Sequence, residues 1–403
     1  MKYVTILIDG MADEETPALD GKTPLEYANI PVINELAKYS ELGLVKTVPE
    51  GMPPGSDVAN LSVMGYAPDV YHTGRSPLEA ASVGVELSDT DVTFRCNFVT
   101  VSDEKEYSEK TMIDHSAGDI TSEEAQELVE ALKAELETDE IKYYAGVSYR
   151  NLIVWKEGPL EFKLVPPHDF LGKTIKNYLP SGKFGNVIYD MTLRSHEILK
   201  NHPVNIARVE KGLNPANSVW IWGEGKKPSL DSFKEKFGVE GAAISAVDLI
   251  KGIAICAELE SIDIPGATGN LETNFEGKAQ GVIDALKAGK DFVYLHLEAP
   301  DECGHQGHLG NKIKSIEIID QKVVKFLKAE LDKLGEDYKI MILPDHPTPV
   351  RTRTHTSDPV PYMIYDSRDL AEKGSVAYNE RTCGATGNYF PEGCKLAEYF
   401  LKE

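Results

Sequence analysis

The chain has 403 residues, 41% hydrophobic and 27% charged, a balance that supports two or three domains with cores of their own and excludes both a disordered chain and a small disulfide- or zinc-stapled module. Forty-two basic against 65 acidic side chains leave a formal charge of −23. A field of that sign repels nucleic-acid backbones and anionic lipid, so an anionic ligand requires metal ions or a local cluster of arginine and lysine.

In chain order, the first strand candidate is residues 3–8, which ends on Asp9. With Asp9 and Asp13 following at once, this apolar run is too short and too acidic for a signal peptide. The loop Gly51-Met-Pro-Pro-Gly55 runs into Ser56-Asp57 and an apolar helical pattern. Ser56 is therefore expected at or near a helix N-cap, where free amides and the helix dipole favour an anion. From about residue 91 to 217 the chain has strands of its own, 93–101 and 152–155, and a helix over 121–136 opened by the capping box Thr121-Ser122-Glu123-Glu124. Strand-plus-acid units occur only before and after this stretch. Residues 91–217 are thus expected to form an inserted domain, with 1–90 and 218–403 forming the core. The acid-rich segment 123–140 reads as a solvated helix face. Further strands are expected at 218–221, 292–297 and 339–343. An amphipathic helix is expected over 311–334, where Ile313, Ile316, Ile319, Val323, Phe326, Leu327 and Leu331 recur at three and four. The alternation of short β-rich runs with helical patterns predicts an α/β fold with a central, mainly parallel sheet flanked by helices, plus a smaller inserted α/β domain.

No apolar run approaches the roughly 18 residues of a membrane span. Cys96, Cys256, Cys303, Cys383 and Cys394 form no C-x-x-C pair, which points to a reducing, cytoplasmic setting.

Three apolar strand candidates far apart in sequence are each expected to end on an aspartate: 3–8 on Asp9, 292–297 on Asp301 and 339–343 on Asp345. In open α/β sheets ligands bind at the carboxyl edge of the strands, and three carboxylates gathered there repel unless a cation lies between them. Imidazoles accompany them in Asp301-Glu-Cys-Gly-His305, in Asp345-His346 and at His355. Mixed Asp and His ligands suit Mn²⁺, Zn²⁺ or Mg²⁺ at a hydrolytic or phosphoryl-transfer centre, where two ions about 4 Å apart can stabilise both the attacking and the leaving oxygen. Beside such a centre Ser56 is the nucleophile candidate. Taken singly each of these residues fits a structural role; their combination points to metal. Cys303, inside the Asp301 motif, reads as a spectator.

The strand Ile6-Leu-Ile-Asp9-Gly10, the Ser56 loop, Asp301-x-x-x-His305, Asp345-His346 and His355-Thr-x-x-Pro-Val-Pro resemble the alkaline phosphatase superfamily of two-metal enzymes. More narrowly, the chain resembles the archaeal-type, 2,3-bisphosphoglycerate-independent phosphoglycerate mutases. Gly74-Arg75-Ser-Pro-Leu-Glu-Ala, Val92-Thr-Phe-Arg95-Cys-Asn-Phe, Asn214-Pro-Ala-Asn-Ser, Leu249-Ile-Lys251-Gly and Pro265-Gly-Ala-Thr-Gly extend that likeness over nearly the whole chain in family order. The resemblance implies one metal bound by Asp9, Ser56, Asp345 and His346 and another by Asp301, His305 and His355. The ions would be manganese or magnesium, with zinc and cobalt compatible, and neither a nucleotide nor 2,3-bisphosphoglycerate would be required. It further implies that Ser56 carries the phosphoryl group between the two hydroxyls of phosphoglycerate, with Lys251 near that group and Arg150, Arg95, Arg75 and His168 binding substrate. The inserted domain would serve as a water-excluding cap. The partner would be this small molecule alone, neither nucleic acid nor membrane, and a homo-oligomer is compatible with it.

A phosphohydrolase or another phosphomutase would share the same metal core. An ATP-dependent kinase is disfavoured, because Gly21-Lys22-Thr23 and Gly172-Lys173-Thr174 have Thr16 and Pro167 where a Walker A loop needs its first glycine. A non-catalytic scaffold would be expected to lack ligands, yet all seven positions are filled.

Overall fold

The computed structural model describes residues 1–402 and divides into two compact units, one of residues 1–72 with the chain from 229 onward, the other of residues 73–228. The strands in chain order are β1 (Lys2–Ile8), β2 (Glu41–Val45), β3 (Val92–Val101), β4 (Met112–Asp114), β5 (Ile141–Val147), β6 (Arg150–Trp155), β7 (Ser218–Lys226), β8 (Gly241–Ile244), β9 (Glu260–Ile262), β10 (Phe292–Leu297), β11 (Tyr338–Leu343), β12 (Val360–Asp366) and β13 (Tyr389–Phe390).

The first unit is built on an eight-stranded sheet in the order β13-β2-β12-β11-β1-β10-β8-β9. At its centre β1 pairs in parallel with β10 and β11, with Leu7 opposite both His296 and Leu343. Parallel strands need helical crossovers, which cover both faces, and β1, β10 and β11 are accordingly buried at every position. The aligned register brings the chain out of all three strands at the same edge. Beyond β11 the sheet turns mixed, with β12 antiparallel to β11 and β2.

The helix expected over 311–334 forms as Leu309–Ile319 and Lys325–Leu331, joined by a π-helical turn over Asp320–Val324. The first residue of the wide turn has a distant partner. Asp320 accepts the amides of Ile33 at 2.7 Å and Val32 at 3.3 Å, capping the helix Pro31–Ala37, whose own N-cap residue Ile30 has no side-chain acceptor. Ile316, Ile319, Val323, Leu327 and Leu331 face the main core with no exposure.

In the second unit β3 pairs antiparallel with β4, β6 and β7, and β5 adds to β6. The strand expected at 218–221 extends to Lys226 and belongs here, because Phe98 of β3 pairs with Val219 of β7. The helix Ser76–Ser82 packs on the same two strands, and Ser76 Oγ bonds the Thr93 carbonyl at 3.1 Å. These contacts are why the unit spans 73–228 rather than 91–217. The helix Ser122–Leu136 carries its capping box between Thr121 and Glu124 and buries Leu128, Leu132 and Leu136 with Phe94, Ile153 and Ile221, while Glu123, Glu127, Glu130 and Glu135 are exposed. No described helix is long and apolar enough to cross a membrane.

Leu327→Ala is expected to cost ~2–5 kcal/mol, the range for emptying a fully buried leucine site, read as a lower denaturation midpoint. An unchanged midpoint would show that this helix is peripheral to the core.

Candidate active site

Asp9 follows β1 directly and Asp345 lies two residues beyond β11, but Asp301 is not at a strand end. It sits in the first turn of the helix Ala299–Gln306, which folds it back toward the other two. Gly10 makes this approach possible: its φ is +61°, and a Cβ there would lie 2.6 Å from Asp301 Cα. Asp9, Asp301 and Asp345 retain 2%, 6% and 0% of their exposure, so water cannot screen their mutual repulsion. Burial, followed by the charges of Asp345, Asp301 and Glu298, pushes the Asp9 carboxyl well above the usual carboxylate range. Its Oδ1 is buried with no hydrogen-bond partner, while Oδ2 lies 2.9 Å from His296 Nε2. Burial also pushes Asp301 upward, but hydrogen bonds from His305 and His355 outweigh it and hold that carboxyl well below its ordinary value.

All seven expected ligands meet. The ligand atoms of Asp9, Asp345 and His346 lie within 4.8 Å of one another, as do those of Asp301, His346 and His355, and those of Asp9, Glu298 and Asp301. Ser56 Oγ is 3.2 Å from His346 Nε2. His305 Nε2 is 3.2 Å from Asp301 Oδ2 and 2.9 Å from His355 Nε2. The hydrogen bond to Asp301 raises His305 to about 9 against the opposing effect of burial. Burial lowers His346. Converging carboxylates, a bare buried oxygen and imidazole nitrogens facing one another form a donor set suited to divalent cations.

The nucleophile candidate is placed by its helix, Ser56–Val63. Gly55 is the N-cap residue and Ser56 the first helical one, a position later than an N-cap, and no side chain caps this end. The Ser56 hydroxyl is thereby left for other chemistry. One turn on, Asn60 Nδ2 bonds both the Ser56 carbonyl at 2.8 Å and Asp345 Oδ2 at 2.9 Å. Tyr294 Oη donates to Asn60 Oδ1 at 2.6 Å. Asp345 Oδ1 accepts the amides of Gly10 and His346, and Thr348 Oγ1 donates to Asp301 Oδ1 at 2.5 Å. These contacts orient the candidate ligands, as supporting groups do at metal centres.

Asn60, His296, Glu298 and Thr348 were not among the residues expected at the site. The available signal was a polar residue inside an apolar run, Asn60 in Val58–Val63 and His296 in β10, but the partner that makes each one matter comes from a distant segment. Burial raises Glu298 to about 7 and lowers the nearby, fully buried Lys278 to about 8. Cys303 is buried and belongs to none of the three donor groups.

Lys251 Nζ is paired with Asp263 at 2.6 Å, not with the carboxylate cluster. The other expected substrate contacts gather within the second unit. Arg95 forms an ion pair with Glu79 and lies over the Trp222 ring at 4.8 Å. His168 packs on Trp222 with centroids 5.5 Å apart and on His115 at 6.2 Å, while His115 meets Tyr149 at 5.9 Å, whose ring also carries Arg150. Burial lowers His168, and the charges of His115, Arg95 and Arg75 act in the same direction. Arg95, Arg150 and His168, named singly from the sequence, thus share one cationic and aromatic cluster, to which the structure adds His115, Tyr149 and Trp222; Arg75 acts on it through its charge on His168.

A family model of 2,3-bisphosphoglycerate-independent phosphoglycerate mutase matches residues 37–205. The enzyme of that name from Methanothrix thermoacetophila is 49% identical over 401 residues, covering 100% of both chains, and that from Methanosarcina barkeri is 45% identical over 383 residues, covering 95% of this chain and 94% of the relative. Among solved structures, the PH0037 protein from Pyrococcus horikoshii superposes with a TM-score of 0.82 at 28% identity, covering 99% of this chain and 96% of that one. With near-half identity carried over its full length, the chain belongs to the archaeal-type 2,3-bisphosphoglycerate-independent phosphoglycerate mutases.

Proposed function

We propose that this chain interconverts 3-phosphoglycerate and 2-phosphoglycerate, in glycolysis and gluconeogenesis, through a phosphoserine at Ser56. The observation that carries the reading is that Ser56, at the free N-terminus of its helix, meets Asp9, Asp345, His346 and the Asp301–His305–His355 set in one cluster. Asp9, Ser56, Asp345 and His346 would hold one divalent ion and Asp301, His305 and His355 the other. Manganese or magnesium are the favoured ions; zinc and cobalt suit the same donors. When bound, the ions supply charge neutralisation and Lewis-acid polarisation of the phosphoryl oxygens.

Ser56 Oγ forms a bond to phosphorus as the bond from phosphorus to one glycerate oxygen breaks. The proton lost by the serine is matched by the one the departing hydroxyl takes up. The second half-reaction reverses these changes on the other hydroxyl, so no ester phosphate is lost and neither a nucleotide nor 2,3-bisphosphoglycerate is needed. The amides at the start of the Ser56 helix favour the transferred anion. Arg75, Arg95, Arg150 and His168 supply the local cations that a −23 chain needs for a carboxylated substrate, and Lys251 serves the phosphoryl group. A mutase must keep water from the phosphoserine while glycerate turns, and we assign that task to the inserted unit. A cytoplasmic setting follows from the substrate class.

Phosphorus NMR of 3-phosphoglycerate with Mn²⁺-loaded protein should show 2-phosphoglycerate without free phosphate; free phosphate alone would make the chain a phosphohydrolase. Ser56→Ala should abolish turnover with circular dichroism unchanged, and substantial mutase activity in that variant would remove the covalent mechanism. Lys251→Ala should lower activity severely while leaving bound metal in place; normal kinetics would remove it from the phosphoryl site. His305, raised to about 9 in the metal-free protein, must lose its proton to bind metal, so below that pH the ion entering its site displaces a proton. Mn²⁺ affinity should therefore rise from pH 6 to pH 9 with net proton release in calorimetry, and a pH-independent affinity would count against His305 as a ligand.

A further inference from the structure

Behind the cluster lies a buried cation that the mechanism does not use. Lys312, on the helix Leu309–Ile319, has no exposure. Its ammonium donates to the Ala12 carbonyl at 3.2 Å, the Thr348 carbonyl at 2.8 Å and Asp13 Oδ2 at 2.7 Å, which uses all three of its protons. Ala12 lies three residues beyond Asp9 and Thr348 two beyond His346, and the two segments are also joined directly by Thr348 N to the Ala12 carbonyl at 3.2 Å. Thr348 in turn holds Asp301 through its hydroxyl. A Cβ on Gly304 would lie 2.5 Å from the Thr348 carbonyl, so the helix bearing Asp301 and His305 rests against the same residue. Asp13 extends the tie, accepting the Val350 amide at 3.1 Å and donating its own amide to Glu380 at 3.2 Å.

We propose that Lys312 is a positioning residue that locks the Asp9 segment to the Thr348 segment, so that the two metal-binding sets take up their geometry together. A fold seeking only stability would gain as much from apolar side chains at Lys312 and Asp13 together, since a buried ion pair is often replaced as a whole by hydrophobic groups at no loss. What an apolar side chain cannot do is hold two backbone carbonyls from separate loops at one point. The inference rests on the metal reading above, and its test is read without turnover.

Mn²⁺ binding to metal-stripped protein is measured by calorimetry for wild type, Lys312→Met and Leu327→Ala, the last lowering stability in the same helical segment away from the loops. Lys312→Met should weaken Mn²⁺ binding about 10- to 100-fold, the range for removing supporting partners of metal ligands, while Leu327→Ala leaves the affinity of the folded protein unchanged. Wild-type affinity in folded Lys312→Met, or an equal loss in Leu327→Ala, would overturn the proposal. If Lys312→Met does not accumulate, Asp13→Asn, which keeps an acceptor oxygen but removes the counter-charge, should weaken binding in the same direction, and unchanged affinity there overturns it equally. Failure of the wild-type protein to bind Mn²⁺ would overturn the metal reading together with this inference, whereas normal wild-type binding with unaffected variants would overturn this inference alone.

Discussion

The constraint on which the active site depends is electrostatic: Asp9, Asp301 and Asp345 are gathered where water does not reach, with the half-buried Glu298 beside them, and carboxylates in such a place cannot all keep their charge without partners. The chain answers differently at each. Asp301 is held anionic by two imidazoles, and Asp345 accepts hydrogen bonds from two backbone amides and from Asn60. Asp9 is satisfied at one oxygen and left bare at the other. The need for a counter-charge is therefore localised at Asp9, which shares one donor group with Asp345 and His346 and another with Asp301 and Glu298.

That localisation is a product of the parallel sheet. Because β1, β10 and β11 run in the same direction and in aligned register, one segment from the start of the chain and two from its last third emerge at one edge. The supporting hydrogen bonds then run between those segments rather than within them: Asn60 to Asp345, Thr348 to Asp301, His296 to Asp9. Each is fully buried, where a satisfied hydrogen bond to a charged group is worth more than at the surface and an unsatisfied one costs more. A cluster assembled in this way is rigid, which suits a reaction whose rate comes from positioning and charge complementarity. Such a core is shared by hydrolases and mutases in principle, and function lies in what surrounds it. The full-length likeness to named mutases decides which family this core belongs to.

Much of this was legible in the sequence. The strand-to-aspartate runs and the spacing of Asp301 to His305 are local patterns, and local patterns survive without a structure. The capping box at Thr121 and the three-and-four spacing of Ile316, Ile319, Val323 and Leu327 likewise matched the helices that form. The capping role of Asp320, at the start of the π-turn, could not be read, because its partner is the amide end of a helix nearly 290 residues away in sequence. Nor could the extent of β7 or the packing of the helix Ser76–Ser82, since both depend on pairing with β3.

The sequence by itself determined the residue chemistry: which carboxylates, imidazoles and hydroxyl could make a metal-assisted phosphoryl-transfer site, and that a strongly acidic chain would need local cations to hold an anionic substrate. Only the tertiary structure decided the roles of the residues around them. Ser56 is released from capping because Gly55 takes that position, Lys251 is engaged by Asp263, and Asn60, His296, Thr348 and Lys312 each acquire a function from a partner that the fold brings from elsewhere in the chain. The physical reason is that a side chain's type is a local property, whereas its charge state, its hydrogen-bond partner and its access to water are properties of whatever packs against it.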